Sequence, residues 1–510
     1  MIRFFVAALL ALMFSSPVLA DPADISAASR SVVRIVLVQS DGDNIYYVGH
    51  GSGVAIAPNL VLTNAHVVES LRSDDSLMAG VVPSEGRNGY MAKLVAYSPQ
   101  NDLALLKLSE PGSIPPAALY PGEMTDGADV FAVGYPGNVD AAQGLDLSQI
   151  VQPQPAVKTR GSLSAGRSSN AFETLLHTAP VGTGNSGGPL LDACGRIIGI
   201  NSFGTVSQNG TDSPFFFAVS MREIAAFLKR AGVTPRVNGL PCRSIAELNR
   251  SEAELLAEEE ARNAALAQQK EAAQSKAKEE ARRSAEREVL TERDNLLALA
   301  ALFLVTALGS GGFAMLKSQQ SDQRTAKRAA IAAVVLIVAA LVTWILRPPL
   351  ESIDHRADDL MTPAPESSAS ETADAGTGKM TCVVDTNRSR VTVSDVTDVA
   401  LEWTPTGCVN GRTQYGYSSD GWSRILVPNG EDTVSVNSYD PATRTYKVER
   451  FLLGFDAMAT VRAERGKFAP PTCEAGEEGA RQLGDQQAVI KALLPPEPNE
   501  RLLYHCNPAP

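Results

Sequence analysis

Between residues 31 and 220 the apolar positions come in short runs broken by Gly, Pro, Asn and Asp. The runs at 31–39, 53–57, 60–63, 103–108, 130–134, 197–200 and 215–219 are either apolar throughout or alternate with polar residues, as strands do. Many short strands with turn residues between them predict an all-β barrel or sandwich. At 221–230 the period becomes helical: Ile224, Phe227 and Leu228 share one face, and Gly232 is placed to end the helix.

The pattern changes abruptly after Cys242. Residues 244–295 are rich in Ala, Glu, Lys, Arg and Gln and contain neither Gly nor Pro, which predicts a helix. Glu258–Arg262 and Glu279–Arg283 stand in the favourable i,i+4 order. The large apolar residues (Leu248, Leu255, Leu256, Leu266, Val289, Leu290) are too sparse for a heptad seam, so a solvated stalk of roughly 75 Å is expected. Residues 296–316 and 329–346 carry no charge and have the length of membrane spans. Gly309-Ser310-Gly311-Gly312 in the first offers a site of close helix packing. The loop 317–328 between them is basic. Residues 347–379 open on Pro348-Pro349 and read as a flexible linker from 357 on. A β-rich domain is expected over 380–510, with strands at 390–393, 424–427, 433–436 and 445–453 and a helix at 477–494.

Length alone asks for two or three domains in a chain of 510 residues. A net charge of −12 gives no reason to expect nucleic-acid binding. At the N-terminus Arg3, an apolar run over 4–14 and Val18-Leu19-Ala20 have the form of a signal peptide, 1–20, cut after Ala20. All six cysteines (Cys194, Cys242, Cys382, Cys408, Cys473, Cys506) would then be exported, which favours disulfides over metal or redox chemistry. Fifteen pairings are formally open. Grouping by domain suggests Cys194 with Cys242 and two bridges among the remaining four.

Three motifs carry chemistry. Gly184-Asn185-Ser186-Gly187-Gly188-Pro189 places a serine between glycines, where backbone N–H groups can converge on a reacting atom. Ahead of it stand Thr63-Asn64-Ala65-His66 and Asn101-Asp102-Leu103-Ala104-Leu105. The order His, Asp, Ser is that of the chymotrypsin fold, distinct from subtilisin and the α/β-hydrolases. On these residues the region from about 30 to 230 resembles a trypsin-like serine protease of the HtrA/Deg type. The resemblance implies a domain over 21–243 made of two six-stranded β-barrels with the site between them. In it Ser186 is the nucleophile, His66 the base, and Asp102 the group that fixes the imidazole; Gly184 and Ser186 N–H groups form the oxyanion hole. Gly134-Tyr135-Pro136 and Thr159-Arg160-Gly161-Ser162-Leu163-Ser164 are similar to further segments of that family. Asn201-Ser202-Phe203-Gly204 resembles the strand that pairs with substrate backbone.

Two departures matter. Asn185 replaces the acidic residue that pairs with a new N-terminus in digestive enzymes, so activation by N-terminal cleavage is not expected. A stalk and two spans stand where HtrA-type chains carry PDZ domains. Pro180 falls at the base of the specificity pocket, with Phe216 among its lining, so a neutral, small or aliphatic residue before the cut is expected. No cofactor or metal is implied. The expected partners are polypeptide substrates, a lipid bilayer and an envelope protein bound through the last domain. The expected location is the bacterial cytoplasmic membrane, with protease and last domain on the periplasmic side. A membrane scaffold whose protease-like domain binds peptides without cutting them is the alternative.

Overall fold

The computed structural model describes residues 22–41, 45–168, 172–205, 214–320, 322–361 and 376–509. The expected signal peptide and residues 362–375 of the expected linker lie outside these residues. The chain divides into two compact units: one joins residues 1–251 with 372–510, the other comprises 252–371.

In the first unit, strands β1 (Val32–Ser40), β2 (Ile45–Ala57), β3 (Leu60–Thr63), β4 (Leu77–Pro83), β5 (Tyr90–Ser98) and β6 (Leu103–Leu108) close a barrel in the order β1-β2-β3-β6-β5-β4. A second barrel has the order β10-β11-β12-β9-β8-β7. Its strands are β7 (Asp129–Gly134), β8 (Val157–Ser168), β9 (Glu173–His177), β10 (Pro189–Leu191), β11 (Ile197–Gly204) and β12 (Phe216–Ser220). Closure removes sheet edges, and each barrel is filled by inward-facing aliphatics. Ile35, Val61, Val81, Leu106 and Ala104 fill the first; Val130, Ala132, Leu163, Leu190 and Ala218 fill the second. The helix Met221–Arg230 follows, capped by the Ser220 side chain on Glu223 N, with Ile224, Phe227 and Leu228 buried. A short N-terminal helix, Pro22–Ala28, precedes β1.

The last domain is a nine-stranded sheet, β16-β15-β14-β13-β21-β20-β19-β18-β17. Its strands are β13 (Gly378–Val384), β14 (Val399–Trp403), β15 (Cys408–Val409), β16 (Thr413–Gln414), β17 (Gly416–Ser418), β18 (Gly421–Leu426), β19 (Thr433–Asp440), β20 (Thr445–Leu452) and β21 (Glu500–Pro508). Helices Phe455–Arg465 and Gly476–Lys491 accompany it. The strand expected at 390–393 is absent: Arg390 makes a single bridge to Arg501, and the following peptides turn to bind Glu500 instead of a neighbouring strand. The disulfides are Cys194–Cys242, Cys382–Cys506 and Cys408–Cys473.

The stalk and first span are one helix, Ile245–Gln319, which belongs to the second unit from Glu252 on, and the second span is the helix Gln323–Ile345. The expected loop 317–328 shrinks to the residues between these helices, because Asp322 caps the second by accepting from Thr325 N at 3.2 Å. Ala300, Ala307 and Ala314 are buried, as are Ala326, Ala333 and Ala340, two sets at equal chain distances before and after Gln320. A small residue every seven positions lets two antiparallel helices approach closely. Leu302, Val305, Leu308, Ile331, Val334 and Leu341 face outward. The expected role of Gly309, Gly311 and Gly312 is thus corrected: a Cβ on any of them would meet nothing within 4 Å, and alanine makes the seam. The start of the expected linker is also ordered, as the helix Ser352–Met361, with Ala357 buried and Arg356 reaching Glu292 at 2.9 Å.

Candidate active site

Three turns converge between the barrels. Strand β3 ends at Thr63 and delivers His66; the turn before β6 delivers Asp102, itself in the left-handed region at φ 51°. Buried Asn64 holds these two turns together by donating to the Asp102 carbonyl at 2.8 Å. The Asp102 carboxylate accepts from His66 Nδ1 at 2.9 Å, from His66 N at 3.1 Å and from the Ser202 hydroxyl at 2.5 Å. Burial pushes this carboxyl upward, but the bonds from His66 and Ser202 outweigh it and hold the group below its ordinary 3.8. An ionised acid only accepts, so Nδ1 carries the imidazole proton and Nε2 is left as the basic nitrogen. The His66 side chain is 48% exposed, open to a substrate.

Ser186 sits in the turn before β10. Its hydroxyl donates to the Ser202 carbonyl at 2.8 Å, so one β11 residue touches both the nucleophile candidate and the acid. Glycine is required on either side. Gly184 has φ 99°, and a Cβ there would lie 2.4 Å from the Tyr135 carbonyl; Gly187 has φ 88°, and its Cβ would lie 2.1 Å from the Ser52 carbonyl. Sequence reasoning missed Ser52. Its hydroxyl donates to Gly184 O at 2.7 Å and accepts from Tyr135 N at 2.9 Å, while its N–H donates to Ser186 O at 2.9 Å. It therefore ties the first barrel to the serine turn and to the second barrel. The signal available was Gly51-Ser52-Gly53, a small-residue stretch inside an otherwise bulky strand.

A charged cluster backs the same turn. His50 Nε2 lies 2.9 Å from the Tyr135 carbonyl and 3.4 Å from Asp140, and its Nδ1 lies 2.5 Å from the Tyr47 hydroxyl. Buried Arg34 pairs with Asp140 at 2.8 Å and donates to Ile150 O at 2.9 Å.

The residues read as substrate-binding part company. Asn201 is wholly buried, and its amide donates to Gly188 O and Pro189 O, so it holds the serine turn and does not reach a substrate. Ser202 joins the acid, as above. Phe203 is exposed and stacks on Phe217 at 4.7 Å. Gly204 pairs with Phe216 between β11 and β12, and a Cβ on it would fall 2.8 Å from the Phe216 ring, which is only 8% exposed. Behind Phe216, at 6.0 Å, lies the His177 ring. Pro180 is exposed, with its carbonyl accepting from Thr159 at 2.6 Å. Among the described residues no cluster of His, Cys, Asp or Glu is arranged to hold a metal.

Residues 51–200 match the family model described as a trypsin-like peptidase domain. The chain carries a trypsin-like peptidase domain. The serine protease Rv3671c of Mycobacterium tuberculosis is 30% identical over 230 residues, which cover 45% of this chain and 53% of that protein. The magnetosome formation protease MamE of Paramagnetospirillum magneticum is 31% identical over 186 residues, 35% of this chain and 23% of MamE. A solved structure of Rv3671c protease from M. tuberculosis in its active form is 25% identical, covering 44% of this chain and 94% of that one at a TM-score of 0.32. The chain thus spans about half the length of Rv3671c and less of MamE. The family match falls within the first two barrels, a peptidase domain of the serine endopeptidase kind.

Proposed function

We propose that this protein is a membrane-anchored serine endopeptidase of the bacterial envelope that cleaves polypeptides through an acyl-enzyme. The observation that carries the reading is the Ser186–Ser202–Asp102–His66 constellation. The Ser186 hydroxyl turns from the Ser202 carbonyl toward His66 Nε2, which takes its proton as the oxygen attacks the peptide carbonyl. Asp102 stabilises the imidazolium that forms, and the Gly184 and Ser186 N–H groups receive the negative charge on the carbonyl oxygen. His66 then returns the proton to the leaving amine, and water repeats the attack to release the acid. We assign Phe216 and Gly204 as walls of the site for the residue before the cut, which would suit a small or aliphatic one.

Two apolar helices support membrane anchoring. Lys317, Arg324, Lys327 and Arg328 against Asp322 give the connecting region a net charge of +3 (four less one), which favours the cytoplasmic side. The domains on either side of these helices pack into one compact unit, in keeping with a hairpin that returns the chain to the compartment it left. Three disulfides in those domains suit an oxidising, periplasmic location. A scaffold with an inert site is the weaker reading, since Asp102 orients His66 and the matched relatives are named serine proteases. The test is reaction with a fluorophosphonate probe and cleavage of an unfolded protein. Both should occur in the full chain and disappear in Ser186→Ala; a full chain inert toward both would overturn the proposal.

A further inference from the structure

The last domain contacts the peptidase through buried polar groups, and one side chain organises the contact. Arg390 and Asp24 are each 2% exposed, and their charged groups pair. Asp24 lies in the N-terminal helix Pro22–Ala28. The Arg390 guanidinium also donates to the Arg243 carbonyl at 2.6 Å, in the segment leaving the peptidase, and to the Asn499 carbonyl of its own domain. Asn499 reaches Asp24 as well, at 3.4 Å. Beside this centre, buried Asn238 donates to the Val391 carbonyl, Arg243 to Asn387 O at 2.6 Å, and Arg501 to Asn249 at 2.6 Å. At the far side Glu85 accepts from Phe455 N at 3.0 Å and pairs with Arg30 at 3.4 Å.

These contacts bear on the part of the peptidase that holds the nucleophile. The turn after β10 contains Gly195, in the left-handed region at φ 74°, where a Cβ would come within 3.0 Å of the Asp24 carbonyl. The N-terminal helix therefore rests on this turn. Arg196 in the same turn donates to the Leu240 carbonyl at 2.5 Å, and Cys194 is bonded to Cys242, so the departing segment rests on it too. Arg390 grips both from outside, and Ser186 lies only a few residues before that turn.

We infer that the last domain is an intramolecular clamp whose partner surface is the N-terminal helix and departing segment of the peptidase, and that it completes the peptidase fold. The chain order makes this a control on activity. The clamp follows both apolar helices, so the peptidase is completed only once the whole chain has been made and both domains share a compartment. Buried ion pairs are costly to break from one side, because the abandoned charge has no water to replace its partner. The peptidase and its clamp should consequently fail together.

Full-length protein in membranes tests this with Asp24→Arg, Arg390→Asp and the double exchange, none of which touches the catalytic groups. Two readouts are taken: the rate of labelling by a fluorophosphonate probe, and survival of the peptidase under trypsin. Each single reversal should slow labelling about tenfold or more and open the peptidase to digestion. The double exchange should recover most of both, since it restores opposite charges in the same place. Single reversals that label and resist digestion as the parent does, or a double exchange no better than either single one, would overturn the clamp. Digestion reads the clamp even if the parent fails to label, and that failure would count against the enzyme assignment alone.

Discussion

His177 should make this protein lose stability in mild acid. The ring is fully buried in β9, behind Phe216, and neither nitrogen makes a hydrogen bond of good geometry. Burial lowers its pKa from 6.5 to about 4, with Asn201 and the Ala179 backbone offsetting only part of the effect. The folded protein thus resists a proton that the unfolded chain accepts. Stability is complete above 6.5 and is lost as the pH falls from there toward 4. The full difference of 2.5 units, 6.5 less 4, corresponds to about 3 kcal/mol, of which about 2 kcal/mol is already gone at pH 5. Asp102 has the same sign but acts in a separate window, since its folded value lies below 3.8. Thermal unfolding of the detergent-solubilised full chain and of His177→Gln, at pH 7.5 and 5, isolates the effect. The parent should lose about 2 kcal/mol more than the variant over that interval. Because the ring backs the pocket, KM for small-residue peptides should rise below pH 5 in the parent and stay level in the variant. Equal losses by the two proteins would refute the reasoning.

Phe216→Ala should open the pocket. Peptides with Leu or Phe before the cut should gain about tenfold in kcat/KM over those with Ala, and a library profile unchanged from the parent's would count against Phe216 as the limiting wall; Phe216→Val serves if the larger truncation unfolds. Reporter fusions after Asp294, at Asp322 and after Thr381 should read outside, inside and outside, and a cytoplasmic Thr381 fusion would remove both the hairpin and the oxidising location of the last domain.

Periodicity determined much of this protein from the sequence alone. The alternation in the barrel strands, the helical face at Ile224, Phe227 and Leu228, and the two apolar runs express spacings fixed by the chain's own geometry. The nucleophile turn was also legible, because Gly184 and Gly187 must adopt conformations that few other residues reach. Tertiary structure decided what those elements meet. Ser52 gained its role only when β2 passed the serine turn, and Ser202 only when β11 brought it between Ser186 and Asp102. Asn201, next to it in the motif, lies at a register shift of β11 and is spent on the Gly188 and Pro189 carbonyls. The alanine seam needed both helices of the hairpin before its spacing had meaning, and the glycines that drew attention point elsewhere. Arg390 shows the limit best. As a residue in sequence it is one arginine among many, in a stretch that reads as a strand. Its function exists only because folding places it against Asp24, from the other end of the chain, where burial makes the pairing of their charges obligatory.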